Sequence, residues 1–228
     1  MIQHTQTPMN AFDPALAQKI SNAGNIAVVI LDDADKAVTL ATTLLEGGIT
    51  VMELTLRTPA ALQALARIAK TVPEMIVGAG TVLTYEQLIQ ARDAGAAFGV
   101  APGFNPQIVT AAKQAGFSFA PGVMTPSEIE GAVACGCRLL KFFPASVIGG
   151  LKAIQTLVAP YNHLGLKYIP LGGLNPETTR DYLASPLIAA CGGSWIAPAK
   201  SINAGDWETI RANAQHATEI ARAAREIQ

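Results

Sequence analysis

Lys141 stands inside the run Arg138-Leu139-Leu140-Lys141-Phe142-Phe143-Pro144, and it alone among the chain's eight lysines sits in mid-run between large apolar side chains. Lys19, Lys36, Lys70, Lys113, Lys152 and Lys200 fall on loops or on stretches with helical spacing, and Lys167 follows the loop Asn162–Gly165 at the beginning of an apolar run. Burial disfavours an ammonium, and an uncharged amine attacks a ketone to form a Schiff base near neutral pH. The plain alternative is a lysine that snorkels to solvent from a strand end. A second polar intrusion is Val51-Met52-Glu53-Leu54-Thr55-Leu56-Arg57, where a strand period of two puts Glu53, Thr55 and Arg57 on one face and Met52, Leu54 and Leu56 on the other. The apolar face must meet helices. The polar face then holds a carboxylate and a guanidinium that need a partner or a ligand. A buried Glu–Arg pair bracing the sheet is the structural alternative.

Two glycine pairs form the third feature: Leu171-Gly172-Gly173 and Cys191-Gly192-Gly193-Ser194, each at the end of an apolar run. Glycine lets a backbone approach an anion closely, and barrel enzymes commonly hold phosphate on the N–H groups of the loops after their last two strands. Ser194 adds a hydroxyl there. Other chemistries find little support. His4, His163 and His216 are far apart and show no His-Glu-x-x-His spacing, so no metal is called for. Cys135-Gly136-Cys137 lacks the Cys-x-x-Cys spacing of a redox pair and reads as packing on a turn. Ser127, Ser146 and Ser185 lack a nucleophile-elbow context.

The elements that must position these residues follow from periodicity. Short β-branched or apolar runs recur at Ile26–Leu31, Ile49–Leu56, Met75–Thr81, Ala97–Pro102, Phe117–Val123, Arg138–Pro144, Leu166–Leu171 and Ile188–Trp195. Between them lie stretches of good helix formers, among them Ala34–Glu46, Ala60–Lys70, Tyr85–Ala94, Gln107–Ala115 and Pro176–Ala184, several opened by an Asp, Thr, Ser or Asn cap. Eight strand–helix units predict an α/β fold, a (β/α)8 TIM barrel with an extra N-terminal helix over Pro14–Asn22 and a long closing helix over Asp206–Ile227. An open doubly wound sheet would show a Gly-rich turn after its first strand, where this chain has Asp32-Asp33-Ala34-Asp35. A single domain over 1–228 is expected, with about the first 12 residues a flexible lead-in.

Composition narrows the class. Of the 228 residues, 50% are hydrophobic and 14% charged, so the chain can bury a sizeable core. A formal charge of -1 leaves no basic footprint for nucleic acid, and no nucleic-acid partner is expected. Neither a signal peptide nor an apolar run long enough to span a membrane is present, and the three cysteines follow no disulfide pattern, which points to a cytoplasmic protein with no membrane partner.

Taken together, Glu53-Leu54-Thr55-Leu56-Arg57-Thr58, Val77-Gly78-Ala79-Gly80-Thr81-Val82, Pro102-Gly103, Lys141-Phe142-Phe143-Pro144-Ala145, Gly172-Gly173 and Gly192-Gly193-Ser194 resemble the 2-keto-3-deoxy-6-phosphogluconate (KDPG/KHG) aldolase family, from about Ile26 to Trp207. The resemblance implies a metal-independent, cofactor-free class I aldolase on a (β/α)8 barrel, assembled as a homotrimer, that cleaves a phosphorylated 2-keto acid to pyruvate and glyceraldehyde 3-phosphate. By position it makes Lys141 the Schiff-base lysine, Glu53 the general acid/base, and Arg57 and Thr81 ligands of the substrate carboxylate. Pro102 and Phe143 become apolar walls beside the imine, and Gly172, Gly173, Gly193 and Ser194 a phosphate cradle. Two positions depart from the pattern: Asp32 and Asp33 stand where relatives often carry basic residues, and Leu171 where they often carry Thr. Other substrates left open are 4-hydroxy-2-oxoglutarate and the galactose-derived epimer, and from other classes a phosphate-binding barrel isomerase or a non-catalytic binding barrel in which Glu53 and Lys141 form an internal ion pair.

Overall fold

The structure, a computed structural model, describes residues 10–226. Asp13 accepts a hydrogen bond from the Leu16 N–H at 2.7 Å, and proline takes the first helical position, so α1 (Pro14–Ala23) begins where the sequence places it. Then follow β1 (Asn25–Val29), α2 (Ala37–Glu46) behind a short 3-10 turn, β2 (Val51–Thr55), α3 (Ala61–Thr71), β3 (Ile76–Gly80), α4 (Tyr85–Asp93), β4 (Phe98–Val100) and α5 (Pro106–Gln114). The second half runs β5 (Phe119–Ala120), β6 (Gly122–Val123), α6 (Pro126–Ala134), β7 (Leu139–Phe142), α7 (Gly150–Val158), β8 (Lys167–Pro170), α8 (Pro176–Leu183), β9 (Cys191–Gly193), α9 (Ala199–Ala204) and α10 (Trp207–Arg225). Among the described residues no helix is long and apolar enough to cross a membrane.

The named strands pair in parallel, as the helical crossovers require, but not in one continuous ladder. Six form a curled sheet in the order β5-β4-β3-β2-β1-β9, and β6-β7-β8 form a second. The expected fifth strand, Phe117–Val123, is divided at Pro121, which has no N–H to donate to a ladder. Before it Phe119 and Ala120 pair with β4, and after it Gly122 and Val123 pair with β7. The last expected strand, Ile188–Trp195, shortens to β9, which meets the β8 side only through the isolated bridge Leu171↔Gly192, while Tyr168 bridges Ile188 just ahead of it. The structure thus shows an α/β fold of two parallel sheets, interrupted at these two places.

Strand alternation sorts the core into two clusters. Ala27, Met52, Leu54, Leu140 and Tyr168 point outward into the layer shared with the helices. Their chain neighbours Ile26, Val51, Leu139 and Ile169 point inward and pack with Phe98, Val100 and Leu171. The period of two that sends Val51 and Leu139 inward sends Glu53 and Lys141 there as well.

The N-terminal end of this interior is stoppered by α1 and the residues before it. Phe12, 2% exposed, lies with its ring 6.1 Å from that of Phe98, and Ile20 is fully buried beside them. The backbone is tied down too, since Ala11 accepts from the Phe119 N–H at 3.0 Å. Residues 11 and 12 are therefore anchored, which corrects the expectation of a lead-in reaching to about residue 12; the rest of that expectation, residues 1–9, lies outside the described residues. Phe12→Ala is expected to cost about 3–5 kcal/mol, the usual penalty for emptying a buried phenyl site, measured as a lower urea midpoint.

Candidate active site

Glu53 and Lys141, 88 positions apart in the chain, meet inside the fold. Lys141 Nζ donates to Glu53 Oε1 at 3.0 Å and lies 3.4 Å from Oε2, with Lys141 4% and Glu53 1% exposed. A buried ion pair is expensive to desolvate and holds only with good geometry, so its presence beside a cavity marks a site where one proton can pass between two groups. The apolar neighbours expected of Lys141 are present, with its Nζ 5.5 Å from the centroid of the Phe143 ring. The alternative of a Glu53–Arg57 brace is not what forms. Arg57 instead donates from Nε to Thr81 Oγ1 at 3.2 Å.

Two backbone features make this arrangement possible. A Cβ at Gly80 would overlap the Glu53 carboxyl, so the absence of a side chain on the neighbouring strand is what lets that carboxylate reach Lys141. Gly80→Ala is expected to push the carboxyl off the amine and lower kcat by about tenfold to 10²-fold, the scale of a displacement near 1 Å, with steady-state kinetics as the check. Next to it, Thr81 is the one non-glycine with positive φ among the described residues, at 61°. For a β-branched residue this conformation costs roughly 1–2 kcal/mol, and such strain gathers at functional sites. It turns the hydroxyl to Arg57.

A cavity of about 160 Å³ opens over the pair and is lined by Lys141, Arg57, Phe143, Gly172, Gly173 and Ser194, together with Gly192 and an apolar side of Val28, Ile30, Leu171 and Leu174. Glu53 joins it through the ion pair and Thr81 through Arg57. At the glycine end, Gly173 has φ 79° and a Cβ there would overlap Ser146 Oγ, so only glycine fits. Gly172 and Gly173 are both at positive φ and both line the cavity, and a turn of this kind can present backbone N–H groups to an anion.

Besides Glu53 and Thr81, which reach the cavity through Lys141 and Arg57, two expected site residues do not line it. Gly193 points outward under Trp195, since alternation along β9 turns Gly192 to the interior instead. Pro102 lies in the loop after β4 with its backbone against Gly122. Thr55 donates to the Val29 carbonyl at 3.0 Å and is a strand fastener. Asp32 accepts from Asn203 Nδ2 at 3.1 Å and Asp33 caps the turn after β1, so both are engaged away from the cavity. Val28, Ile30 and Leu174 were not singled out by sequence, because apolar cavity walls look like ordinary core; the glycine in Gly78-Ala79-Gly80 was a legible signal of close approach. Lys167 is exposed at the start of β8 and donates to the Pro186 carbonyl. Burial pushes the Cys137 thiol up to about 12, which leaves it no thiolate. Among the described residues no group of three His, Cys, Asp or Glu side chains converges.

A larger cavity, about 670 Å³, lies at the opposite end between α1 and α10, beside Lys19, Thr50, Ile76, Thr218 and Arg222, and holds none of these groups.

Comparison with known proteins adds to this geometry. The pattern of KDPG and KHG aldolases matches residues 16–213. The chain is 43% identical over 195 residues, 86% of its own length and 92% of the other's, to the 2-dehydro-3-deoxy-phosphogluconate aldolase of Treponema pallidum. It superposes with a TM-score of 0.84 and 35% identity on the crystal structure of the 2-keto-3-deoxy-6-phosphogluconate aldolase of Zymomonas mobilis with 3-phosphoglycerate, covering 91% of this chain and 97% of that one. It is likewise similar to the KDPG aldolase of Legionella pneumophila with pyruvate captured as a covalent carbinolamine, with a TM-score of 0.83 and 34% identity over 87% and 96% of the two chains.

Proposed function

The chain belongs to the KDPG and KHG aldolase family and is a class I, Schiff-base aldolase, and from that premise we propose that it cleaves 2-keto-3-deoxy-6-phosphogluconate to pyruvate and glyceraldehyde 3-phosphate at Lys141. The observation that carries the assignment is a buried lysine opening onto the cavity, Lys141 being the one lysine that lines it, with Glu53 at 3.0 Å as its proton partner. Arg57 and Thr81 take the substrate carboxylate, Arg57 through its planar fork. Lys141 passes a proton to Glu53 and its lone pair adds to C2 of the ketone, giving a carbinolamine. Glu53 returns the proton to the C2 hydroxyl, which leaves as water and yields a protonated imine.

The imine is an electron sink. Glu53, directly or through a water, removes the proton of the C4 hydroxyl; the C3–C4 bond breaks, its electron pair moves into the imine to form an enamine, and the C4 fragment departs as the aldehyde. Glu53 then gives its proton to C3, and hydrolysis frees pyruvate and the amine. Phe143 walls the imine, while the backbone of Gly172 and Gly173 and the hydroxyl of Ser194 hold the phosphate. Incubation with pyruvate and borohydride should leave one permanent adduct, located on Lys141 by mass spectrometry. A protein that gains no adduct, or gains it on another lysine, would sink the reading.

A second substrate, 4-hydroxy-2-oxoglutarate, which ends in a singly charged carboxylate instead of a phosphate, is favoured by one observation: of the residues lining the cavity only Arg57 and Lys141 are cationic. Relative kcat/KM for the two substrates separates the cases. The same reading makes the two sheets arcs of one eight-stranded (β/α)8 barrel, with β5 and β6 a single strand broken at Pro121, in one domain of a cytoplasmic homotrimer. Four large apolar side chains, Leu83, Tyr85, Met124 and Val147, are exposed and available to a contact between copies.

A further inference from the structure

The Gly172–Gly173 loop is laced to the segment that follows β7. The Leu171 N–H donates to the Phe142 carbonyl at 2.9 Å, the Ala145 N–H to the Leu171 carbonyl at 2.8 Å and the Ser146 N–H to the Gly172 carbonyl at 3.0 Å. A side chain joins them, as Ser146 Oγ donates to the same Gly172 carbonyl at 2.8 Å. Among the described residues it is the one side chain hydrogen-bonded to this glycine pair. The serine stands behind the loop. It lines a separate cavity of about 300 Å³, between the start of α7 and α8, and not the Lys141 cavity, whereas Gly173 borders both.

Two donors on one carbonyl fix how the peptide behind it is turned. Gly172–Gly173 is a trans peptide, and in a planar trans peptide the C=O and the following N–H point in opposite directions. With the Gly172 oxygen held on Ser146, the Gly173 N–H is directed away from Ser146, to the side of the Lys141 cavity. Glycine on both sides of the peptide offers little resistance to its rotation, so its bonds to Ser146 decide where the N–H aims. We propose that Ser146 is a positioning residue for substrate phosphate: its hydroxyl holds the Gly172–Gly173 peptide in the orientation that presents the Gly173 N–H to the phosphate of a phosphorylated 2-keto acid. The inference rests on the phosphate cradle proposed above and adds to it the residue that orients it.

The test combines steady-state kinetics on 2-keto-3-deoxy-6-phosphogluconate with the pyruvate concentration that half-saturates borohydride trapping, in the wild type, Ser146→Ala and Val147→Ala. Ser146→Ala should raise KM for the phosphorylated substrate about threefold to tenfold, the span of one hydrogen bond, with kcat within about twofold of wild type. Pyruvate carries no phosphate, so its half-saturating concentration should stay where it is, whereas a generally loosened site would shift it as well. Val147→Ala, at the exposed next position with no bond to the loop, should change neither value. An unchanged KM in Ser146→Ala, an equal shift of the pyruvate value, or an equal rise of KM in Val147→Ala would each overturn the proposal. A wild type that traps pyruvate without turning over the phosphorylated substrate would instead end the substrate reading, and the role of Ser146 with it.

Discussion

Lys141→Ala is expected to lower kcat by at least about 10⁴-fold, the order lost when the nucleophile of a covalent mechanism is removed, and to abolish the borohydride-trapped pyruvate adduct. The size follows from the position. Lys141 is the one lysine that lines the cavity, and Lys167, the other lysine on a strand, sits exposed at a strand start. The substitution also leaves Glu53 buried without its partner, and breaking a buried pair typically costs about 3–5 kcal/mol, so the loss must be measured on protein that still melts cooperatively. Lys141→Met, which keeps most of the apolar stem, gives the same kinetic result with less disturbance of packing. Turnover within tenfold of wild type in either folded variant would remove Lys141 from the mechanism.

Glu53→Gln should reduce kcat by about 10²–10⁴-fold, the contribution of a positioned acid/base, because the amide still accepts a hydrogen bond from Lys141 but cannot carry a proton. In the proposed mechanism several proton transfers pass through this one group, so imine formation and C3–C4 cleavage should both slow. The two residues act as a unit, and the double variant Lys141→Ala/Glu53→Gln should be no slower than Lys141→Ala alone. Pre-steady-state trapping of the imine in Glu53→Gln is the direct measurement; an unchanged rate would assign the acid/base role elsewhere.

The order of strands and helices was legible because alternating and 3.6-residue patterns survive in the sequence, and Asp13, Thr84, Asn105, Thr125, Asn175 and Asp206 do cap the helices they precede. Glu53 and Lys141 were legible for the same reason: a charged residue inside an apolar strand has to be explained. Their direct contact entered only as the internal ion pair of a non-catalytic barrel, since nothing in the spacing fixes which inward side chains face each other across 88 positions. That Gly192 and not Gly193 lines the cavity was not legible, because a Gly-Gly pair does not announce which glycine faces inward. Phe12 escaped notice because a lone aromatic ahead of a helix carries no period, and the division at Pro121 because a proline near the middle of a short apolar run reads equally well as a strand edge.

Glu53 belongs to the six-stranded sheet and Lys141 to the three-stranded one. These sheets adjoin where Pro121 interrupts the ladder and where Leu171 bridges Gly192, the two places with the thinnest backbone hydrogen bonding between neighbouring strands. The amine and the carboxylate therefore act as a clasp across both seams. In the proposed mechanism each catalytic cycle would undo the clasp when the amine becomes covalently engaged and fasten it again on release, so that cohesion between the two halves would be renewed by the same event that discharges product.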